Sequence, residues 1–446
     1  MREVSILLHS ARQLLTMAPA AGGRPKVGSS MADLGILEDG ALAADGERIL
    51  AVGHTDEIRS AYQLRPGGVE MDATGCVVMP AFVDPHTHVL FHGTREWEFE
   101  ERLRGKTYME IAAEGGGIHA SVRMFREASD ETLLAESLAR MDRMAAFGTG
   151  TVEIKTGYAL DPEQELRALR LIGELSRRHP LHVVATYLGA HEIPSVHRGD
   201  PDTYVDLLVK RMIPEAADLG IARFCDVFCE QGVFSIEQSR RILETGKRVG
   251  LRPKLHADEI EPMGGAELAA EVQAISADHL GKVSEQGMRA MAEAGVVAVL
   301  LPATLFSLRA QAYAPARRMI ELGVAVALAT DCNPGSSMTE SQPWVMALAC
   351  LEMGMTPAEA VTATTYNAAA ALGLAADRGA LSPGYRADIQ ILDAPSYARL
   401  PYHVGFPDQR DLFLSGRHVI PALRAPELRI RVSGASLGGD ELCTGR

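Results

Sequence analysis

His86 and His88 stand two apart in the segment Val83-Asp84-Pro85-His86-Thr87-His88. In an extended chain the side chains at i and i+2 point to the same side, so both imidazoles can reach one ion. Neutral imidazole is a good ligand for zinc or iron. A lone His-X-His pair is a weak signal, because exposed or capping histidines are common. A third imidazole at His256 and a carboxylate at Asp331 would complete a ligand set that still admits water. An ion held in this way lowers the pKa of a bound water by several units, to about 7 in favourable sites, and so yields a nucleophile at neutral pH. Amide hydrolysis is the chemistry this suggests. Because an amide carbonyl is a poor electrophile, attack also needs a proton acceptor and a group that stabilises the developing oxyanion. Glu259 is assigned to water activation and proton relay, His279 to polarising the carbonyl or orienting the water, and Asp331 to ligation with proton shuttling. The plain alternatives are a solvated loop carboxylate at Glu259 and a hydrogen-bonded core histidine at His279.

Groups so far apart in sequence need a scaffold that gathers them. Eight short apolar runs, at 77–83, 150–154, 182–188, 224–228, 251–255, 274–277, 296–301 and 324–329, alternate with segments of helical periodicity. Ser235 and Ser284 open two of those segments as N-caps. The pattern predicts an α/β protein built on a (β/α)8 TIM-like barrel, where catalytic groups sit beyond the C-terminal ends of the strands. The polar residues meet that demand. His86 and His88 follow the first run, Tyr158 the second, His191 the third and Glu230 the fourth; His256 and Glu259 follow the fifth, His279 the sixth, and Asp331 with Asn333 the eighth. Glu230 reads equally as an ordinary polar strand end. Between the first two runs lies an excursion at 93–148, with the turn Gly115-Gly116-Gly117 and a helix at 131–146, of the kind that shapes substrate pockets.

Residues 5–79 show short apolar runs broken by Gly, Asp and Pro, which predicts antiparallel strands. After a helical stretch at 356–372, strand-like alternation returns at 379–392 with Pro383-Gly384 as a turn. The two ends are therefore expected to form one smaller composite β-sandwich domain. The predicted division is 1–80 and 372–424 for that domain, 81–371 for the barrel, and 425–446 for a weakly structured tail.

Composition narrows the class. The 446 residues are 47% hydrophobic and 23% charged, which suits a globular chain of about two domains. A formal charge of −14 disfavours nucleic acid or an anionic membrane as partner and leaves a small-molecule substrate. Six scattered cysteines suit reduced thiols in the cytoplasm. Residues 1–17 show no sustained apolar run ending in a cleavage site, so no signal peptide is expected. The longest apolar run, 296–301, falls far short of the roughly 20 residues that cross a bilayer.

Taken together, the segments resemble the amidohydrolase superfamily and, within it, most closely the imidazolonepropionase family of histidine degradation. The resemblance spans most of the chain. It is carried by Val83 to His88, Arg95, Gly115-Gly116-Gly117-Ile118, Glu153-Ile154-Lys155-Thr156-Gly157-Tyr158 and Gly189-Ala190-His191. It continues through Leu255-His256-Ala257-Asp258-Glu259, Ser276-Ala277-Asp278-His279-Leu280 and Ala329 to Ser337. What it implies is hydrolysis of the cyclic amide 4-imidazolone-5-propanoate to N-formimidoyl-L-glutamate with one divalent ion, zinc or iron, in a homodimer. By the same resemblance Arg95, Tyr108, Tyr158, His191 and Glu259 would bind the substrate, with Asn333, Gly335 and Ser336 lining the other side. Arg95 suits the propionate through a bidentate, charge-assisted pair. His92, Cys332, Thr156 and Ala159 depart from the family's pattern, as does the stretch 404–408; Cys332 reads as a packing residue. The nearest alternative is an aminohydrolase or another cyclic amidohydrolase, and a more distant one is a barrel without catalysis, whose sign would be missing ligands.

Overall fold

The structure, a computed structural model, describes residues 1–106, 110–111 and 114–419. Tyr108, Cys443 and the tail expected at 425–446 lie outside them.

Eight strands follow in chain order as β1 (Phe82–Asp84), β2 (Thr149–Lys155), β3 (His182–Ala190), β4 (Ala222–Cys229), β5 (Arg252–Ala257), β6 (Ser276–His279), β7 (Val297–Leu300) and β8 (Val326–Leu328). Each pairs with its successor, always parallel. Every residue of β7 and β8 is buried, as befits strands covered on both faces. The ring closes just beyond β1 and β8. There the Asp331 N–H donates to the His86 carbonyl and the His88 N–H to the Cys332 carbonyl, each at 3.0 Å. The Asp84 carboxylate reinforces the seam by accepting from the Thr330 N–H at 3.1 Å and its Oγ1 at 2.6 Å. Burial pushes Asp84 up to about 7, against the pull of those bonds. Ser235 and Ser284 cap helices Ile236–Arg248 and Glu285–Ala294, accepting from the Gln238 and Gly287 N–H groups. The stretch read as helical at 356–372 is two helices, Pro357–Thr364 and Tyr366–Ala371, broken at the non-helical Thr365.

The smaller domain joins both chain ends in two sheets. One has the order Arg48–His54, Gly40–Asp45, Arg2–Ala11, Tyr62–Asp72; the other runs Arg417–Val419, Gln409–Leu414, Ile389–Leu392, Val77–Pro80, Gln13–Leu15, Ile36–Leu37. Three expectations need correction. The sheets are mixed and not simply antiparallel: Arg2–Ala11 runs parallel to Tyr62–Asp72, and Gln13–Leu15 parallel to Val77–Pro80. Both pairs are separated by intervening strands and the helix Thr55–Ala61, which give the chain length for a crossover. The run 77–83 is two strands in different sheets, exchanged at Ala81, whose N–H bonds the Asp388 carbonyl. Both pieces are fully buried, so hydropathy carries no mark of the break. Of 379–392, only Ile389–Leu392 is strand. The rest is a loop tied to the first sheet by the Gly384 N–H on the Ile49 carbonyl at 2.8 Å. The stretch 404–408 is closed by Asp408, which takes Arg399 Nε at 3.1 Å and His403 Nδ1 at 2.9 Å.

The two chain ends meet backbone to backbone. Ser415 (φ 47°) and Gly416 (φ 72°) form the two-residue turn between Gln409–Leu414 and Arg417–Val419, a turn that needs positive φ at both positions. A Cβ on Gly416 would fall 1.8 Å from the Gly46 carbonyl oxygen, in the turn leading into Arg48–His54. Gly416→Ala is therefore expected to destabilise the protein by about 2 kcal/mol or more, from left-handed strain plus collision. A thermal melt should show a clearly lower midpoint; an unchanged one would mean the two turns do not pack as described.

Candidate functional site

His86, His88, His256, His279 and Asp331 converge at the C-terminal mouth of the barrel. Ring centroids of His86 and His256 are 4.6 Å apart, those of His86 and His88 5.4 Å, and those of His256 and His279 5.1 Å. Asp331 Oδ1 lies 3.5 Å from His86 Nε2 and 3.6 Å from His88 Nε2, while its Oδ2 accepts from Thr304 Oγ1 at 2.6 Å. His279 (φ 75°) and Asp331 (φ 51°) both adopt left-handed backbone, a sparsely populated state for side-chain-bearing residues that recurs at functional sites. Burial and the neighbouring charges of Lys155, His191 and His256 hold His86, His88 and His279 well below the ordinary imidazole range, so they stand neutral.

The donor set fits a divalent metal ion. The Nε2 atoms of His86 and His256, and Nδ1 of His88, are buried with no hydrogen-bond partner among the described residues. Lone pairs in that condition call for a Lewis acid. Ligand atoms within 4.8 Å of one another come from His86, His88 and Asp331, from His86, His256 and His279, and from His88, His191 and His256. The four expected ligands thus fall in overlapping groups, with His256 joined through the imidazoles and not through Asp331.

Beneath these rings lies a layer of charge to which the sequence reading assigned no role. His86 Nδ1 donates to Asp278 Oδ2 at 2.6 Å and His256 Nδ1 to Asp226 Oδ1 at 3.2 Å. Such bonds fix the tautomer that frees Nε2. Lys155, Lys254 and Glu153 complete the layer, and all five side chains are 0% exposed. Burial alone would raise Asp226, but Lys155 and His256 outweigh it and hold the carboxyl well below its usual range. For Asp278 burial prevails and the shift is upward. The available signal was the presence of Glu153, Lys155, Asp226, Lys254 and Asp278 inside otherwise apolar strands, with Glu153/Lys155 and Lys254/His256 at same-face spacing. Thr304, just past β7, carried no such signal.

Glu259 Oε2 lies 3.4 Å from His279 Nδ1. Burial first, then the charges of Asp331 and Glu230, push Glu259 up to about 8, and burial pushes Asp331 up to about 6. The loop carrying Glu259 is held from both sides. Glu230 accepts from the Ile260 N–H at 2.9 Å and the Glu261 N–H at 3.2 Å. Asp258 accepts from four successive N–H groups, Met263 to Ala266, at 2.9–3.1 Å.

At the rim, Arg95 is buried over Gly335, where a Cβ would fall 1.4 Å from Nη2. Its Nε lies 3.4 Å from Glu98 Oε1 and its Nη1 3.4 Å from Ser121 Oγ. Arg102, which sequence reasoning missed, donates to the Gly335 carbonyl at 3.3 Å. Asn333 organises this turn: its Oδ1 accepts from the Gly335 and Ser336 N–H groups at 2.8 Å, and its Nδ2 donates to the Asp331 carbonyl at 2.7 Å. His191 stacks on His88 at 4.8 Å, and Tyr158 contacts both rings at 5.5–5.6 Å. Burial, then His256, lowers His191 to about 3. Of the departures from the family's pattern, Cys332 is fully buried in a cluster with Phe91 and Ile154, and His92 pairs with Glu136 at 2.9 Å.

Residues 101–406 match the model of the Amidohydrolase family. The imidazolonepropionase of Geobacillus kaustophilus (strain HTA426) is 50% identical over 416 residues, covering 93% of this chain and 98% of that protein. That of Symbiobacterium thermophilum is 49% identical over 421 residues, covering 94% and 98%. Among solved structures, an adenosine deaminase from Xanthomonas campestris with bound zinc superposes with a TM-score of 0.68 at 16% identity, over 94% of this chain and 93% of that one. A 5-methylcytosine deaminase from Klebsiella pneumoniae superposes at 0.69 and 17%, over 93% and 98%. At such identity these structures share the fold alone, whereas the sequence relatives settle the membership: this chain belongs to the amidohydrolase family and, within it, to the imidazolonepropionases.

Proposed function

We infer that this chain hydrolyses the cyclic amide 4-imidazolone-5-propanoate to N-formimidoyl-L-glutamate, the ring-opening step of histidine degradation. The observation that carries the reading is Arg95 packed on Gly335, one short turn from Asp331: a guanidinium for a carboxylate tail beside an imidazole and carboxylate cluster suited to an amide. His86, His88, His256 and Asp331 would hold one divalent ion, zinc or iron, both of which accept these donors. When bound, that ion supplies a Lewis acid for the carbonyl oxygen and for water.

The chain's own groups do the rest. Arg95 takes the propionate, with Tyr108, Tyr158 and His191 against the propionate and ring, and Asn333, Gly335 and Ser336 on the opposite side. Glu259 takes a proton from the attacking water and delivers it to the ring nitrogen as the carbonyl carbon–nitrogen bond breaks. The carbonyl carbon becomes the new carboxylate, still joined to the rest of the product through the neighbouring ring carbon; one water proton stays on the nitrogen of the formimidoyl group, and the second is released to solvent through Asp331. His279, 3.4 Å from Glu259, orients the water or polarises the carbonyl, and Asp331 shares in proton transfer. We place the enzyme in the cytoplasm, in keeping with five free thiols among the described residues, none of whose helices is long and apolar enough to cross a membrane.

Three outcomes test this. Dialysis against a strong chelator should abolish imidazolone loss, followed by its ultraviolet absorbance, and zinc or iron should restore it; elemental analysis of the purified protein then names the ion. Arg95→Ala should lower kcat/KM by about 100-fold, the worth of one buried charge-assisted pair, while the fold survives. Unchanged kcat/KM in that variant, or faster turnover of an uncharged heterocycle by the native enzyme, would overturn the substrate. Sedimentation velocity should give a homodimer, and a monomer at assay concentration would remove that part of the reading.

A further inference from the structure

The charged layer in the barrel floor is built around one atom. Lys155 Nζ lies 2.7 Å from Asp226 Oδ2, 3.1 Å from Glu153 Oε2 and 3.4 Å from Asp278 Oδ2. Asp226 and Asp278 are the two carboxylates that receive the Nδ1–H groups of His256 and His86. Lys155 is thus one residue removed from both imidazoles at once. Its partner cation Lys254 is placed differently: its Nζ lies 2.9 Å from Glu153 Oε2, 3.0 Å from the Pro85 carbonyl and 3.7 Å from Asp278. The remaining oxygens are also occupied, since Asp278 Oδ1 accepts from Ser276 Oγ at 2.6 Å and Asp226 Oδ1 from the Val227 N–H at 2.7 Å.

We propose that Lys155 is a positioning residue for the metal site: by clamping Asp226 and Asp278 it holds His256 and His86 as Nδ1–H tautomers with both Nε2 lone pairs directed at one ion. The proposal rests on the reading of His86, His88, His256 and Asp331 as ligands. Three carboxylates in a space with 0% exposure repel one another, and Lys155 is the cation that contacts all three. Without it Asp226 and Asp278 lose the contact that fixes their planes, and each imidazole loses a fixed acceptor. Hydrogen-bond partners of this kind typically govern metal affinity by about 10–100-fold.

The idea makes a prediction of sign. If Lys155 acted only as a nearby positive charge, removing it would tighten binding of a divalent cation, because like charges repel. If it positions the ligands, removing it weakens binding. Lys155→Met, close in length and without charge, separates the two. We would measure the zinc dissociation constant of the metal-stripped protein by competition with a chromophoric chelator, after circular dichroism shows that the variant is folded. We would also record the visible spectrum of the cobalt(II)-loaded protein, which reports ligand geometry independently of turnover. The expected result is zinc affinity about 10–100-fold weaker with an altered cobalt spectrum. Equal or tighter zinc binding with an unchanged cobalt spectrum overturns the proposal. Should Lys155→Met fail to fold, Lys155→Arg carries the test: it keeps the charge and changes the geometry of the contacts, so a simple charge effect predicts native zinc affinity and a native cobalt spectrum, which would be equally fatal, whereas positioning predicts that both change. Native protein that binds no zinc or cobalt would instead defeat the ligand reading itself.

Discussion

A neutral imidazole carries a single N–H, so a histidine that offers a lone pair from Nε2 must keep its hydrogen on Nδ1. In a dry interior that hydrogen needs an acceptor of its own, and the demand spreads outward from there. For His86 and His256 the acceptors are the carboxylates of Asp278 and Asp226. A buried carboxylate without a counter-charge costs several kcal/mol, so Lys155 and Lys254 follow, and Glu153 joins the pair of them. The strand ends then have little latitude. Lys254 and His256 must share one face of β5, Glu153 and Lys155 one face of β2, and Asp226 and Asp278 must point inward from β4 and β6 between them. The barrel supplies that geometry, since inward residues of alternate strands share a layer, and β2, β4 and β6 are alternate.

The same cavity drives its acids in opposite directions. Asp226, in contact with Lys155, is held well below the ordinary carboxylate range, while Glu259 is pushed up to about 8 and Asp331 to about 6. Burial raises all three, and what separates them is distance from a cation. Asp226 at the floor is therefore held ionised, which suits orientation. A carboxyl at the rim, near neutral in its tendency to ionise, suits proton exchange. Division of labour between acids follows from placement and not from residue type.

Much of this was legible from residues alone. All eight barrel strands were visible as largely apolar runs, because strands covered on both faces carry few polar side chains. Ser235 and Ser284 marked true helix starts, since a cap is a local bond between near neighbours. The imidazoles and Asp331 were legible as candidates because each lies at or just past the C-terminal end of a strand. Information that depends on partners distant in sequence was not visible. Nothing in the run 77–83 reveals that its halves serve different sheets, and nothing at Arg2–Ala11 reveals a parallel neighbour. Lys155 and Asp278 were present in quoted motifs, yet their meaning depends on strands β3, β4 and β5 lying between theirs. Arg102 and Thr304 were unmarked because an arginine in a charged helix and a threonine after a strand are commonplace.

Selectivity is a separate problem from the charged floor of the barrel. The chain's formal charge of −14 opposes an anionic ligand on average, but screening reduces that field within about 8 Å at physiological ionic strength. The last few ångströms decide, and there the cations are local: Arg95 and Arg102 both reach Gly335, with buried Glu98 between them. Glu98 is not wholly theirs, since its Oε1 also accepts from the Gly117 N–H at 2.8 Å. Two guanidiniums beside one buried carboxylate bring positive charge to this turn of an otherwise acidic protein. Any side chain at position 335 would displace Arg95, so the glycine and the arginine constrain one another across the fold. The proposed carboxylate contact therefore depends on room that backbone shape alone provides.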